Sequence, residues 1–274
     1  MSLFDGCPEI VDRNLGISDE WVGQEPRYQS GTSLLRMSEV NLPNGYELVS
    51  ELFGQMMRNW GAAGCSATKS KENWRFTKHV AFADNNRSAE VLLERTIASV
   101  TGEQWANQIP VDSGLLGKSN KTLDLACHDG DVFDLVELKD ASNKTDTPLS
   151  AAIQVLNYGL ANVLFQINKH RVLPSGSENQ LLGAKQLRFH VLAPVPFYER
   201  FRKVSAWLGK FEACIQLGVV QFSEQFTNPE YPRISEFCFQ TFPADFQWDL
   251  SRHSDESHRQ EVKAAIDGRT RYFK

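Results

Sequence analysis

Two carboxylic acids and a lysine lie near the middle of the chain in a pattern that suits metal-assisted chemistry. Asp124 comes first, and the tripeptide Glu137-Leu138-Lys139 follows it. Paired carboxylates can hold a divalent cation, and a lysine beside them adds a compact positive charge. Hydrolysis of a phosphodiester bond needs these groups, because a metal ion polarises the phosphate and lowers the pKa of a bound water.

The residues around these groups are predicted to form a β-hairpin. Asp129-Gly130 is a strong turn signal, and it lies between two strand-like runs, Thr122–Cys127 and Val132–Lys139. The second run is apolar at positions on both faces, which is typical of a central strand. The sequence therefore predicts that the acids and the lysine are carried by adjacent strands inside a sheet.

The register of this hairpin decides whether the acids meet. With Asp129-Gly130 as the central turn residues, Ala126 pairs with Phe133. Because side chains alternate between faces, Asp124 and Glu137 then share one face, about 7–8 Å apart between Cα atoms, and the lysine shares it with them. Asp134, which falls on the opposite face, and Asp131, which is more typical of a turn, are the substitute acids if the register is different. A slip of one residue would separate Asp124 from Glu137.

A long helix is predicted after the hairpin. Thr147-Pro148 suits the N-cap and first helical position, and an apolar stripe continues to about Asn168. Gln154 and Tyr158 are one turn apart on this helix. They could orient the lysine, a metal-bound water or a substrate phosphate. A plain position on the helix surface is the alternative for both.

The ordered set of acid, hairpin, Glu-Leu-Lys and helical Gln-x-x-x-Tyr resembles the PD-(D/E)xK nuclease superfamily. The last element is similar to the Q-x-x-x-Y element of RecB-type nucleases and the lambda exonuclease. Leu123 departs from the superfamily pattern, because a proline usually precedes the acid. The resemblance implies an α/β, restriction-endonuclease-like core with the order α-β-β-β-α-β. Its central mixed β-sheet would be flanked by helices, with additional N-terminal and C-terminal elements.

The resemblance also implies roles for individual residues. Asp124, Glu137 and the main-chain carbonyl of Leu138 would hold Mg²⁺ or Mn²⁺, and Lys139 would assist the attack of water on DNA. A glutamate of the preceding helix often joins the metal site. Glu94 is the candidate here, and Glu90, one helical turn earlier, is the other choice. Two solvated helix glutamates are the plain alternative. For the whole protein, the alternative is a catalytically silent nuclease fold that binds nucleic acid or a protein partner.

Basic residues near the proposed site are candidates for phosphate contacts. Lys118 and Lys121 lie just before the strand of Asp124, and Lys71 and Arg75 belong to an upstream segment with interleaved aromatic residues. Lysine and arginine that follow a nucleic-acid backbone supply most of its sequence-independent affinity. For Lys71 and Arg75, an ordinary solvated strand edge is the alternative.

Composition limits the class of protein. A net charge of −5 over 274 residues argues against a passive nucleic-acid-coating protein, but an enzyme needs only a local positive track. No apolar run is long enough to span a bilayer, and no motif for a nucleotide cofactor is present. The five cysteines and six histidines have no zinc-type spacing, so free thiols in a reducing cytoplasm are expected. The prediction is a cytoplasmic protein without membrane contact, and a homo-oligomer is left open.

The chain is predicted to form a single domain. It divides into an N-terminal extension (1–45, irregular in its first 40 residues), a nuclease-like core (86–195) and a C-terminal elaboration (196–274). Residue patterns predict helices over Tyr46–Trp60, Ala89–Val100 and from Phe197 onward, and strands over Asn73–Ala83, Leu187–Ala193, Gly218–Phe222 and Ile234–Phe242.

Overall fold

A computed structural model describes residues 2–18, 21, 26–64, 73–82, 88–111 and 121–274. Its helices are α1 (Cys7–Asn14), α2 (Gly31–Leu34), α3 (Gly45–Ala62), α4 (Ala89–Val100), α5 (Pro148–Ile167), α6 (Lys169–Val172), α7 (Val195–Glu199), α8 (Ser205–Glu224) and α9 (Glu256–Asp267). Its strands are β1 (Trp105–Pro110), β2 (Thr122–Asp129), β3 (Val132–Leu138), β4 (Gln186–Ala193), β5 (Arg233–Thr241) and β6 (Thr270–Arg271).

The described strands form one six-stranded mixed sheet in the order β1-β2-β3-β4-β5-β6. The pairs β1–β2, β2–β3 and β5–β6 are antiparallel, and the pairs β3–β4 and β4–β5 are parallel. Parallel neighbours need a crossover connection, and α5 and α8 lie in the two crossovers. The predicted α/β class with a central mixed sheet flanked by helices is confirmed, and β3 is a central strand buried along most of its length.

Two hydrophobic clusters lie against this sheet. The larger one joins α1, α3, α5 and α8 to alternate residues of the strands, such as Phe133 and Leu135 of β3. The smaller one joins α4 and α9 to the residues in between, such as Val136 and Leu138. Because side chains of a strand alternate between faces, the sheet is covered by helices on both sides.

Several elements agree with the sequence prediction because local signals specify them. Ser88 caps α4 by accepting a hydrogen bond from the Val91 amide, and Thr147 caps α5 in the same way through Ser150. The helix predicted over Tyr46–Trp60 is α3, and the strands predicted over Leu187–Ala193 and Ile234–Phe242 are β4 and β5.

Near β1, one sequence prediction is wrong and one strand was not predicted. The segment predicted as a strand over Asn73–Ala83 is not a strand in its described part, 73–82. It follows the outer edge of β1 irregularly, with the Trp74 amide donating to the Pro110 carbonyl and the Asn107 amide to Thr77. The true edge strand, β1, has the polar pair Asn107 and Gln108 at its centre and ends in proline, so its sequence carries little strand signal.

Predictions for the two ends of the chain also need correction. Gly218–Phe222 is not a strand but the last part of α8. The helix expected from Phe197 is broken, since α7 ends at Glu199 and α8 begins at Ser205. The first 40 residues are not irregular throughout, because α1 packs Cys7 and Val11 into the larger core.

Helix α5 is long and strongly apolar. Among the described helices it has the length and composition of a bilayer span, yet 83% of its most apolar 18-residue window is buried inside the protein. A core helix of a soluble protein is packed in this way. The helix is buried because it lies between the sheet and α3, where an all-round apolar surface is favourable.

Glycine at position 218 allows α3 and α8 to cross closely. A β-carbon at Gly218 would overlap the backbone of Gly45, which cannot move without moving the start of α3.

We expect Gly218→Ala to lower the free energy of unfolding by about 1–3 kcal/mol, as overpacking does. Denaturant unfolding measures this change. Gly54→Ala is the control, because its β-carbon would meet only the Arg58 side chain at an ordinary 3.5 Å. It should gain up to about 1 kcal/mol from helix propensity, and equal effects at both positions would contradict the close crossing.

Candidate functional site

The hairpin that carries the acids is present, but its register differs from the prediction. Ala126 pairs with Leu135 instead of Phe133, and the residues that flank the turn are Asp129 and Val132. Gly130 therefore occupies the first central position of the turn with φ +59°. This is the glycine position of type II′ turns. The pairing is shifted by two residues, so every side chain keeps the face that was predicted for it.

The shift places Asp124 opposite Glu137. The last paired residues are Leu125 and Val136, and one step further along both strands reaches the two acids. Beyond this point the Asp124 carboxylate accepts a hydrogen bond from the Leu138 amide at 2.8 Å. Asp124 is thus bound to the main chain of the neighbouring strand, next to the glutamate it faces.

Lys139 lies at the centre of a cluster of carboxylates. Its Nζ is 2.8 Å from Glu137 Oε1, 3.3 Å from Glu90 Oε1 and 3.4 Å from Asp146 Oδ2. Glu137 is fully buried and Lys139 is 3% exposed. Ionised groups at such depth must be compensated by partners. Of the two helix glutamates considered for the metal site, Glu90 is the one that contacts the lysine.

The electrostatics of this cluster follow from burial and crowding. Burial, and then the charge of Asp124, raise the pKa of Glu137 well above its usual value. Burial also raises the pKa values of Asp124 and Glu90. For Lys139, burial acts to lower the pKa, but the carboxylates around it outweigh burial and hold the pKa above its usual value. The lysine is therefore a cation at neutral pH, surrounded by acids whose own pKa values are raised.

Glu94 lies beside this cluster on α4. It is 4% exposed, and its carboxylate accepts a hydrogen bond from the Asn107 amide group at 2.9 Å. The neighbouring Gln108 also bonds to it and has φ +49°, an uncommon conformation for a residue with a side chain. Burial, followed by the charge of Asp124, raises the pKa of Glu94 to about 8. Glu94 therefore faces Asp124 rather than the lysine.

This raised pKa predicts that Glu94→Gln stabilises the protein in alkaline solution. In the folded protein this carboxyl has a pKa of about 8, whereas its reference value is 4.5. Ionisation in the unfolded chain therefore lowers the free energy of unfolding as the pH rises above 4.5, and the full loss is reached above pH 8. Glutamine keeps the acceptor for Asn107 but carries no charge. We expect the variant to exceed wild type by on the order of 3 kcal/mol at pH 9 and to equal it near pH 4.5. Urea unfolding at both pH values measures the difference, and a gain that does not depend on pH would contradict the burial of a titrating acid.

A polar cavity of about 460 Å³ opens beside Asp146. Gln154 and Tyr158 line it from α5, and Gln154 Nε2 is 3.4 Å from the Tyr158 hydroxyl. Lys121 lines the opposite side, with its Nζ 4.6 Å from the centre of the Phe4 ring. Because Asp146 contacts Lys139, this cavity adjoins the carboxylate cluster. The structure therefore brings Lys121, Gln154 and Tyr158 to the neighbourhood of the site.

Of the remaining predicted nucleic-acid contacts, Arg75 is the one among the described residues. Arg75 contacts Thr77 and His79 within its own segment. Lys71 and Lys118 lie outside the described residues.

The loop between β3 and α5 contributes two side chains that sequence reasoning missed. Asp146 reaches Lys139, and the side-chain amide of Asn143 donates to Asp146 Oδ2 at 2.9 Å and to Glu90 Oε2 at 3.3 Å. The only local signal was a run of polar residues before the N-cap Thr147, which also describes ordinary loops.

The assembled site presents carboxylate oxygens, the ligands that hard cations prefer, beside a buried lysine. Its ligand atoms are carboxylate oxygens, and Glu137 Oε2 is buried without a hydrogen-bond partner among the described residues. The Asp124 and Glu137 side chains also lie within hydrogen-bonding reach of each other, and paired carboxylates of this kind are suitable ligands for a divalent ion. No protein-family model, curated protein or solved structure matches the chain, so its function must be argued from this arrangement of residues.

Proposed function

We propose that this protein is a Mg²⁺-dependent nuclease that hydrolyses phosphodiester bonds of DNA. The observation that carries the proposal is the convergence of Asp124, Glu137 and Lys139 on one buried cluster. The Lys139 ammonium group is 2.8 Å from Glu137, and Asp124 is close enough to raise the pKa of Glu137. Strongly perturbed acids that cluster around a buried lysine are typical of catalytic sites.

The order of elements supports the same proposal. The sequence α4-β1-β2-β3-α5-β4 has the α-β-β-β-α-β order that the resemblance to the PD-(D/E)xK superfamily implies. The acids lie on the second and third of these strands, and Gln154 and Tyr158 lie on the helix that follows. A restriction-endonuclease-like core is therefore part of the proposal.

The ligands fit Mg²⁺ better than a thiophilic metal. Asp124 and Glu137 would hold the ion, and the resemblance adds the main-chain carbonyl of Leu138, so every protein ligand is an oxygen. Mn²⁺ accepts the same ligands. Bound Mg²⁺ would polarise the phosphate and lower the pKa of a coordinated water.

The protein's own side chains would supply positive charge and orient the substrate. Lys139 stays protonated among its carboxylates, so its role is to donate hydrogen bonds and positive charge, either to the attacking water or to the phosphate. Gln154 and Tyr158 face the adjoining cavity and would orient the substrate there. Lys121 would contact a phosphate at the far side of that cavity, which supplies a local positive charge in an acidic protein.

A catalytically silent protein is the second candidate, and one observation favours it. Lys139 is within salt-bridge distance of three carboxylates, which is how a purely structural ion-pair network is arranged. Such a network needs no metal. The close contact between the Asp124 and Glu137 carboxyl groups argues for the metal site, because two buried carboxylates side by side repel each other and a divalent cation relieves that repulsion.

A cleavage assay tests the proposal. Supercoiled plasmid, linear duplex and single-stranded DNA are incubated with the full chain in Mg²⁺ and in chelator. We expect cleavage in Mg²⁺ alone, and its loss in Asp124→Asn. Glu103→Gln is the matched control, since its side chain is fully exposed. A wild-type protein that leaves all DNA and RNA forms intact in Mg²⁺ and Mn²⁺ would contradict nuclease activity.

A further inference from the structure

A second group of metal-ligating side chains lies on the sheet where β4 and β5 run side by side. His190 and Cys238 are paired across these strands, and Glu236 comes two residues before Cys238. Residues two apart on a strand share a face, so all three point the same way. Their ligand atoms lie within 4.8 Å of one another.

This group is separate from the proposed Mg²⁺ site. His190 pairs with Val136 of β3, and Val136 alternates with Glu137 along that strand. Because adjacent residues of a strand point to opposite faces, His190 lies on the face opposite to Glu137. The two groups therefore share no ligand.

His190 is buried, and its ring nitrogens approach two carboxylates only at ion-pair distances. It is 2% exposed, and its contact with Glu236 lowers the pKa of that carboxyl group. Its Nε2 is 3.7 Å from Glu236 Oε2, and its Nδ1 is 3.9 Å from Asp134 Oδ2. Both separations exceed a hydrogen bond. Buried polar groups are normally satisfied, so an imidazole between two carboxylates needs an explanation.

Charged residues surround His190 and Glu236 in the way that supporting residues surround the ligands of a metal ion. Asp134 faces Nδ1 of His190 and is itself held by Arg188 at 2.5 Å and by Arg269 at 3.6 Å. A metal-bound histidine typically directs its other ring nitrogen to a carboxylate, which fixes the ring. Arg271 forms an ion pair with Glu236. The imidazole therefore has an orienting carboxylate on one side and the possible ligands Glu236 and Cys238 on the other.

We propose that His190, Glu236 and Cys238 bind Zn²⁺. Nitrogen, sulfur and carboxylate oxygen are the ligands of protein zinc, and ligand atoms around a tetrahedral ion lie about 3.3–3.8 Å apart, so small movements would complete the site. The sulfur of Cys238 favours zinc over Mg²⁺. Three protein ligands leave a fourth position for water, and the ion joins β4 to β5.

Cobalt provides the test, because a Co²⁺–thiolate bond gives a charge-transfer absorption in the near ultraviolet. The full chain is treated with chelator, dialysed and titrated with Co²⁺. We expect this absorption to appear, to be displaced by Zn²⁺ and to be lost in Cys238→Ser. Cys214→Ser, a free cysteine on α8, should retain it, and so should Asp124→Asn. No absorption in wild type, or its persistence in Cys238→Ser, would overturn the proposal.

Two further variants keep the test decisive if Cys238→Ser does not fold. Glu236→Gln changes a partly exposed ligand, and Asp134→Asn changes the carboxylate behind His190. Loss of an outer carboxylate typically weakens metal binding about 10–100-fold, and loss of a ligand should cost at least as much. Zn²⁺ affinity measured by competition with a chromophoric chelator gives these ratios. Affinities equal to wild type in both variants would exclude the site.

Discussion

Replacing Lys139 by glutamine should reduce Mg²⁺-dependent DNA cleavage by about 10²–10³-fold, the usual cost of removing one group that stabilises transition-state charge. Lys139 is the cation among Glu137, Glu90 and Asp146, and glutamine keeps a hydrogen-bond donor there but no charge. Initial rates of cleavage at saturating Mg²⁺ measure the effect, and circular dichroism checks that the variant is folded.

The control for this experiment is another lysine that pairs with an acid. Lys263 forms an exposed ion pair with Asp267 on α9, so Lys263→Gln removes the same charge from the surface. It should cleave DNA at the wild-type rate. A folded Lys139→Gln protein that is as active as Lys263→Gln would remove the lysine from the mechanism.

Divalent metal should stabilise the wild-type protein, and Glu137→Gln should abolish this stabilisation. At about 100 times the dissociation constant, a ligand that binds only the folded state adds about 2.7 kcal/mol to the free energy of unfolding. Stability is gained here because the charge of Asp124 repels that of Glu137, as the raised pKa of Glu137 indicates, and a bound cation relieves this repulsion. Thermal unfolding with and without Mg²⁺ or Mn²⁺ measures it.

The same measurement separates the two candidate functions. A structural ion-pair network centred on Lys139 would gain nothing from Mg²⁺, because its charges are already paired. Glu103→Gln, a change at a fully exposed acid, should keep the full metal response. If wild type does not respond to either ion, the metal site is refuted even though the hairpin and the cluster remain.

The agreement between sequence and structure is greatest where structure depends on neighbouring residues. Ser88 and Thr147 mark the starts of α4 and α5, because a cap acts through hydrogen bonds to residues only three positions away. The face shared by Asp124 and Glu137 was predicted even though the hairpin register was not. Face depends on alternation with period two, and the turn displaced the pairing by two.

The errors occurred where distant contacts decide the structure. Gly218–Phe222 has an apolar composition that fits a strand, but Gly218 serves the close crossing of α8 with α3. Strand β1 was missed because its place at the sheet edge comes from pairing with β2, not from its own pattern. In both cases a distant partner overrides local propensity.

The sequence alone therefore determined the α/β class, the hairpin with two acids and a lysine on one face, and the helix with Gln154 and Tyr158. Period-two and period-3.6 patterns carry this information within short segments. Only the tertiary structure decided that Glu90 and Asp146 surround Lys139, and that His190 lies beside Glu236 and Cys238. Glu90 and the partners of His190 come from segments far apart in the chain from the groups they meet, and Asp146 reaches Lys139 through the path of the loop between β3 and α5. Helix packing, strand order and loop path decide these meetings, and no local spacing encodes them.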